Sequence, residues 1–247
     1  MGAFSVVLTN QQLQQLCALL LQKISAEKNK VTLIQCLSLM ANAVGNKLAL
    51  FLKDIVIMLT GLINSLNREQ SIPEENDLIE VCLATITSIV KKCPREVTPF
   101  VAELTKLSFS LITHDPNYMY NEDVDMKEDD GYGEEWGSDF EDYQQDAVDD
   151  DDDTSWKVRR GAIRLLDAII KTRPDQARQI AYEHSKDLVA RFKERVDDVK
   201  CDILDMFRNL TMSCFDARPG TVENELVHSA SLVRQKSHSG VFNKFSG

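Results

Sequence analysis

Residues 155–170 read Ser155-Trp156-Lys157-Val158-Arg159-Arg160-Gly161-Ala162-Ile163-Arg164-Leu165-Leu166-Asp167-Ala168-Ile169-Ile170. Val158, Ala162, Leu165 and Ile169 stand at i, i+4, i+7 and i+11, which puts them on one side of an α-helix. The same ladder recurs in both directions. Val199, Ile203, Met206, Leu210 and Cys214 begin 41 residues downstream, and Leu78, Cys82, Ile86, Ile89 and Cys93 begin 80 residues upstream. Leu33, Leu37, Met40 and Val44 lie a further 45 residues back. The interval of 80 contains 40 residues, 114–153, of quite different composition; without them it is 40. A period of 40 to 45 is that of stacked two-helix units.

Partner stripes alternate with these ladders. They are Leu13, Leu16, Leu20 and Ile24; Phe51, Ile55, Met58, Leu62 and Leu66; Phe100, Leu104, Leu107 and Leu111; and Ile180, His184, Leu188 and Phe192. Asn10 is placed to cap the first helix, Pro73 sits at a first-turn position, and Pro94 and Pro174 end one helix and open the next. Asp153 or Thr154 is expected to cap the helix that opens at Ser155. The fold class is therefore all-α, a solenoid of about four helical hairpins. Residues 10–113 hold the first two hairpins and the first helix of the third, 114–153 are an insertion, and 154–215 complete the array. Residues 216–247 are Ser-rich without a sustained ladder and read as a disordered tail. Apolar faces run to both ends, so either the solenoid continues beyond this sequence or the tail caps it.

The insertion is the chain's electrostatic singularity. It holds 18 Asp or Glu and one Lys, a net charge of −17, whereas the whole chain is −11 and the remainder therefore +6. Like charges at this density resist burial, and the run reads as a solvated loop able to meet a basic partner or shield the basic helix beside it. Tyr132, Trp136, Phe140 and Tyr143 interrupt the acid and could add stickiness. An EF-hand needs acids at positions 1, 3 and 5 with Gly at 6. Counting back from Gly131 puts Met126 at position 1, and counting back from Gly133 puts Tyr132 at position 5, so no calcium loop is built.

After Asp149, Asp150, Asp151, Asp152 and Asp153 the sign reverses. Lys157, Arg160 and Arg164 share one helical face beside Trp156, with Arg159 pointing elsewhere, and Arg191, Lys193 and Arg195 form a second basic cluster. Both clusters read either as charge-balanced helix ends or as ridges for an acidic partner. His184 lies in an apolar stripe and reads as a packed histidine. No Ser-His-Asp or Cys-His arrangement, Gly-rich phosphate loop or HExxH string occurs, so no catalytic residue, cofactor, metal or small-molecule substrate is expected.

The six cysteines form no CxxC pair and fall in apolar stretches; they read as reduced core thiols, which implies cytoplasm or nucleus. The apolar stretch 48–63 is cut by Lys53-Asp54, the N-terminus lacks a signal peptide's basic region, and Val6 stands where myristoylation requires Ser or Thr. Neither membrane nor nucleic acid is expected as a partner, the latter because the overall balance is acidic.

Several strings, in order, carry a family resemblance: Phe51-Leu52-Lys53-Asp54; Cys93-Pro94-Arg95-Glu96-Val97; His114-Asp115-Pro116-Asn117-Tyr118 entering the acid; Ser155-Trp156-Lys157-Val158-Arg159-Arg160 leaving it; then Arg191-Phe192-Lys193-Glu194-Arg195 and Val199-Lys200. Over about residues 25–212 the chain resembles an internal part of the N-terminal half of the cullin-associated, neddylation-dissociated family of HEAT-repeat proteins. The resemblance implies HEAT-type hairpins and a non-enzymatic scaffold. Such scaffolds bind unneddylated cullin–RING ubiquitin ligases, grip the cullin and its RING subunit through N-terminal repeats, and promote substrate-receptor exchange in assembling SCF-type complexes. Two other readings of the bare residues are a karyopherin-like transport receptor and an acidic-loop chaperone for basic proteins.

Overall fold

A computed structural model describes residues 8–27, 29–66, 72–115 and 153–216. Eight α-helices follow one another in this set: α1 (Asn10–Ala26), α2 (Lys30–Val44), α3 (Leu52–Ser65), α4 (Pro73–Lys92), α5 (Val101–Ile112), α6 (Ser155–Thr172), α7 (Pro174–Ala190) and α8 (Asp197–Asp216). Short 3-10 turns at Gly45–Phe51, Thr98–Phe100 and Arg191–Lys193 lead into α3, into α5 and out of α7. No strand occurs among the described residues.

The packing has two layers. Helices α2, α4, α6 and α8 stack in sequence as one continuous layer, and α1, α3, α5 and α7 form the second. Every ladder with the 40–45 residue period belongs to the first layer, which is why its phase repeats so faithfully. Each inner helix of that stack is packed on two sides by its neighbours, so burial reaches well beyond one narrow stripe. In α6 Val158, Ala162, Ile163, Leu165, Leu166, Ala168, Ile169 and Ile170 are all buried. Helices α4 and α6 approach closely at Gly161, where a Cβ would meet Leu83 Cδ1 at 3.0 Å and Leu83 Cβ at 3.3 Å. A side chain there would push α4 and α6 apart.

Helix ends follow ordinary chemistry. Helix α1 is capped by Thr9, not Asn10. The Thr9 hydroxyl accepts the Gln12 N–H at 3.3 Å and Gln12 Oε1 accepts the Thr9 N–H at 3.0 Å, a reciprocal capping box. Pro73 and Pro174 occupy first-turn positions of α4 and α7, in line with the sequence reading. At α6, Thr154 is the cap residue, while the Asp153 carboxylate accepts the Ser155 N–H at 2.9 Å.

Two stripes differ from expectation. On α3 the buried set is Leu52, Ile55, Val56, Leu59, Thr60 and Ile63, with Phe51, Met58, Leu62 and Leu66 half-buried, so the true face is rotated by about one residue. On α7 the stripe ends at Leu188; Phe192 lies beyond, on the 3-10 turn, and is 43% exposed. The run Lys30–Ser65 is long and apolar enough to cross a membrane by composition. The chain turns within it at Gly45, whose φ of 57° favours glycine, and the two helices on either side are 15 and 14 residues long. Both bury most of their apolar residues within the stack, with Leu39 and Ile57 the exposed exceptions.

The cysteines divide three ways. Cys17, Cys82 and Cys93 are buried, Cys36 and Cys214 half-buried, and Cys201 exposed, so only three are the core thiols that their apolar surroundings suggested. Burial pushes the Cys17 thiol up to about 11 and the Cys82 thiol up to about 12. Residues 116–152 and 217–247, with most of the insertion including Asp149 to Asp152 and almost all of the tail, lie outside the described residues.

Candidate functional site

The insertion divides the third hairpin, leaving from the end of α5 and returning at the start of α6. Its two flanks meet in a buried polar network built around Arg159. The guanidinium makes a fork-on-fork pair with Glu194, Nε donating to Oε2 at 2.9 Å and Nη2 to Oε1 at 3.0 Å. Nη1 donates to the His114 carbonyl at 3.1 Å and to Ser155 Oγ at 2.8 Å, and lies 3.6 Å from Asp115 Oδ2. His114 and Asp115 precede the insertion, Ser155 follows it, and Glu194 belongs to the next hairpin. One side chain thus ties both ends of the acidic run to the repeat stacked above.

The surrounding groups complete the clasp. Glu194 Oε1 also accepts the backbone N–H groups of Arg195 and Val196 at 3.0 and 3.2 Å, and Arg195 Nη2 donates to Asp115 Oδ2 at 3.0 Å. On the other side His114 Nε2 lies 3.2 Å from Asn76 Oδ1, and Asn76 Nδ2 donates to Thr154 Oγ1 at 3.0 Å. Ser155 Oγ donates to Asp153 Oδ2 at 2.9 Å. Helices α4 and α6 and the turns after α5 and α7 therefore converge here. Burial alone would raise the Glu194 carboxyl. The Arg159 hydrogen bond and charge, with the two backbone N–H groups, outweigh it and hold the group below the usual carboxylate range.

Arg159 corrects the surface assignment made from sequence: its side chain is 2% exposed, turned inward, and committed to the clasp. The other basic residues of α6 do lie at the surface, but they are paired within the fold. Lys157 Nζ meets Asp77 of α4 at 2.8 Å. Arg160 bridges to Asp198 at 2.8 Å and Asp202 at 2.9 Å, and Arg164 shares Asp202 at 2.8 Å, both on α8. Trp156 is half-buried, with the Arg160 guanidinium 6.0 Å from its ring centre. The result is a charged ridge across α4, α6 and α8, opposite in sign between neighbouring repeats. Of the second cluster, Arg195 joins the clasp, Lys193 is exposed, and Arg191 lines a groove with Phe192, Lys200, Ile203 and Leu204.

His184 is a packed residue, its ring stacked on Phe109 with centroids 3.8 Å apart. No group of His, Cys, Asp and Glu that could hold a metal is found among the described residues. Sequence reasoning missed Glu194 and Asp115 as partners of Arg159. Glu194 is 35 residues away in a turn, and nothing in a one-dimensional pattern distinguishes it from its charged neighbours.

Comparison with known proteins follows the same strings. No protein-family model matches the chain. Cullin-associated NEDD8-dissociated protein 2 of Mus musculus is 34% identical over 172 residues, which is 70% of this chain and 13% of the mouse protein. Cullin-associated NEDD8-dissociated protein 1 of Drosophila melanogaster is 32% identical over 173 residues, again 70% of this chain and 13% of the fly protein. The protein 1 of Arabidopsis thaliana is 28% identical over 205 residues, 83% of this chain and 16% of its own length. The chain thus spans roughly an eighth to a sixth of these relatives.

Proposed function

From the premise that the chain belongs to the cullin-associated NEDD8-dissociated family, as a segment of that scaffold, we propose that it is a non-enzymatic HEAT-type module that contacts a cullin and its RING subunit. The observation that carries the reading is the sequence identity over 70% of the chain to relatives whose names state cullin association. The fold suits such a role, because a stacked helical layer offers a long ridge of Lys157, Arg160, Arg164, Asp77, Asp198 and Asp202, all able to exchange an internal ion pair for one with a partner. Exposed pairs of this kind contribute only about 0–1 kcal/mol to folding, so a partner can recruit them at small cost. Substrate-receptor exchange in SCF-type assembly belongs to the same proposal, as a property of the complete scaffold. Cytoplasm or nucleus is the corresponding location.

The test is capture of a purified, unneddylated cullin–RING complex by the full chain. Binding at micromolar concentration is expected, weakened several-fold by Lys157→Glu combined with Arg164→Glu. Absence of binding by the unmodified chain refutes the proposal. Deleting residues 119–150 separates the readings. If binding of basic proteins is the chain's main activity and vanishes with the deletion while no cullin complex is bound, the chain is an acidic-loop chaperone.

A further inference from the structure

Helix α8 closes the described stack on one side, and the face it turns away from α6 is apolar. Val199 of α8 corresponds to Val158 of α6, 41 residues earlier, so Leu204 takes the place of Ile163. Ile163 is 1% exposed, because α8 packs over α6; Leu204 is 57% exposed, and no described element covers it. Phe215 lies 11 residues further on, in the same helical phase, and is exposed as well. Beside Leu204 runs the groove it shares with Arg191, Phe192, Lys200 and Ile203. On α7, Tyr182 and Val189 are exposed on the side opposite His184, which faces Phe109 of α5. The other side of the stack differs: α1 exposes Gln11, Gln14, Gln15 and Gln22, and only Leu19 of α1 and Leu39 of α2 are exposed large apolar residues there.

We infer that a second copy of the chain covers this face, the two α8 helices packing antiparallel across a twofold axis. Three observations carry that occupant. First, the apolar surface lies on one side of the stack only. A head-to-tail contact would set Leu204 and Phe215 against the glutamines of α1, whereas the same face on both copies buries apolar on apolar and closes at two. Second, the area is sufficient. Helices α7 and α8 are 17 and 20 residues long. At 1.5 Å per residue and about 10 Å per helix width, their shared face is roughly 30 by 20 Å, or about 1,200 Å² over two copies. That is the lower bound of about 1,200 Å² for a specific, stable interface. Third, the charges on the face are complementary to themselves in reverse. Asp197 and Arg208 stand 7 residues before and 4 after Leu204, in nearly the same helical phase, with side chains 92% and 72% exposed. An antiparallel pair centred between Asp202 and Ile203 sets Asp197 of each copy against Arg208 of the other, with Leu204 between the two ion pairs. A parallel pair sets Asp197 against Asp197 and Arg208 against Arg208.

Sedimentation equilibrium of the full chain over a range of concentrations tests this. The mass should rise from one copy to two, and no further, with a midpoint on the order of 10 µM for an interface of this size. Leu204→Asp should hold the chain monomeric throughout while leaving its urea midpoint unchanged, since Leu204 is exposed in the single copy. Asp197→Arg and Arg208→Asp should each weaken dimerisation at least about tenfold, because each sets like charges opposite one another twice. An equimolar mixture of those two variants should recover it, since every facing pair is then again of opposite sign. A monomeric unmodified chain at all concentrations overturns the inference, the face then being covered by the chain itself or by another protein. Mass that grows past two copies, dimerisation that survives Leu204→Asp, or a mixture no tighter than its components overturns it equally.

Discussion

Replacing Arg159 with Met keeps an unbranched, helix-compatible side chain of similar length and removes the charge at the centre of the clasp. The carboxylates of Glu194 and Asp115, 6% and 5% exposed, then face each other's field without the buried Arg159 cation between them. The cost has a ceiling, because an orphaned carboxylate can take up a proton. From a usual pKa near 4.3 to pH 7 is about 2.7 units, and at about 1.4 kcal/mol per unit protonating Glu194 costs about 4 kcal/mol. Its backbone donors, the N–H groups of Arg195 and Val196, persist and offset part of the loss of Arg159. Lost hydrogen bonds to the His114 carbonyl and Ser155 Oγ add about 1 kcal/mol each. The net figure is thus about 3–5 kcal/mol, the usual range for breaking a buried pair from one side.

Urea unfolding at pH 7 reads this directly. With a slope of about 2 kcal/mol per molar, the midpoint should fall by roughly 2 M. Arg164→Ala, removing a half-exposed guanidinium from the ridge, should shift it by less than about 0.5 M. The double variant Arg159→Met with Glu194→Leu should recover much of the loss, since a buried pair exchanged for apolar groups of similar volume is often neutral. If Arg159→Met costs no more than Arg164→Ala, the network is ornament and the neck of the insertion is held by something else.

Further outcomes follow from the same structure. Glu194 is held below its unfolded pKa, so its stabilisation is fully present above the usual carboxylate pKa and is lost as pH falls through the lower, folded value; in an acid titration of stability Glu194→Gln should flatten the slope below about pH 4.3. Gly161→Ala and Gly61→Ala should have opposite signs in thermal unfolding. The first sets a Cβ against Leu83 and destabilises despite the roughly 1 kcal/mol gained in helix propensity, whereas nothing lies within 4 Å of the second, which should stabilise by about 0.5–1 kcal/mol. Thiol labelling at pH 8 should modify Cys201 first, Cys36 and Cys214 more slowly, and Cys17, Cys82 and Cys93 only on unfolding; rapid loss of Cys82 would contradict its burial. The Asp175 carboxyl, hydrogen-bonded by Arg173 and then Gln176, should titrate at about 2 by NMR and return toward the ordinary range in Arg173→Ala.

The repeat was legible because the inner helices of the stacked layer are buried from both neighbours, which forces apolar residues into the same phase every 40 to 45 positions. The phase of α3 was not, since Leu52, Ile55, Val56, Ile57, Met58, Leu59, Leu62 and Ile63 are apolar most of the way round and spacing alone cannot rank the faces. The α1 cap was written in the sequence as Thr9-x-x-Gln12, a reciprocal signature stronger than Asn10 by itself. Arg159 misled for a physical reason: a charge on an amphipathic helix is ordinarily solvent-facing, and only the partner turn at Glu194 makes its burial tolerable. The α6 ridge was found as residues, but its neutralisation by Asp77, Asp198 and Asp202 depends on inter-repeat register that composition does not carry.

The clasp explains how a repeat array tolerates an insertion of this size and sign. For any flexible connection as long as the 37 residues that separate Asp115 from Asp153, joining the ends costs about 3 kcal/mol in loop entropy beyond a length-independent part, and doubling its length adds only about 0.6 kcal/mol. A network of the strength worked out for Arg159 is enough to offset that, and it is located wholly at the neck. The consequence is a sharp division of roles along the chain. Changes at His114, Asp115, Ser155, Arg159 or Glu194 act on the stack, because α4, α6 and the turns after α5 and α7 share those bonds. Changes between the anchors alter charge and reach while leaving α6 seated between α4 and α8. The run rejoins the fold at Asp153, whose carboxylate accepts the Ser155 N–H at the start of the α6 ridge. Shortening the run by half should alter partner association while leaving the urea midpoint within about 0.5 M of the full-length chain.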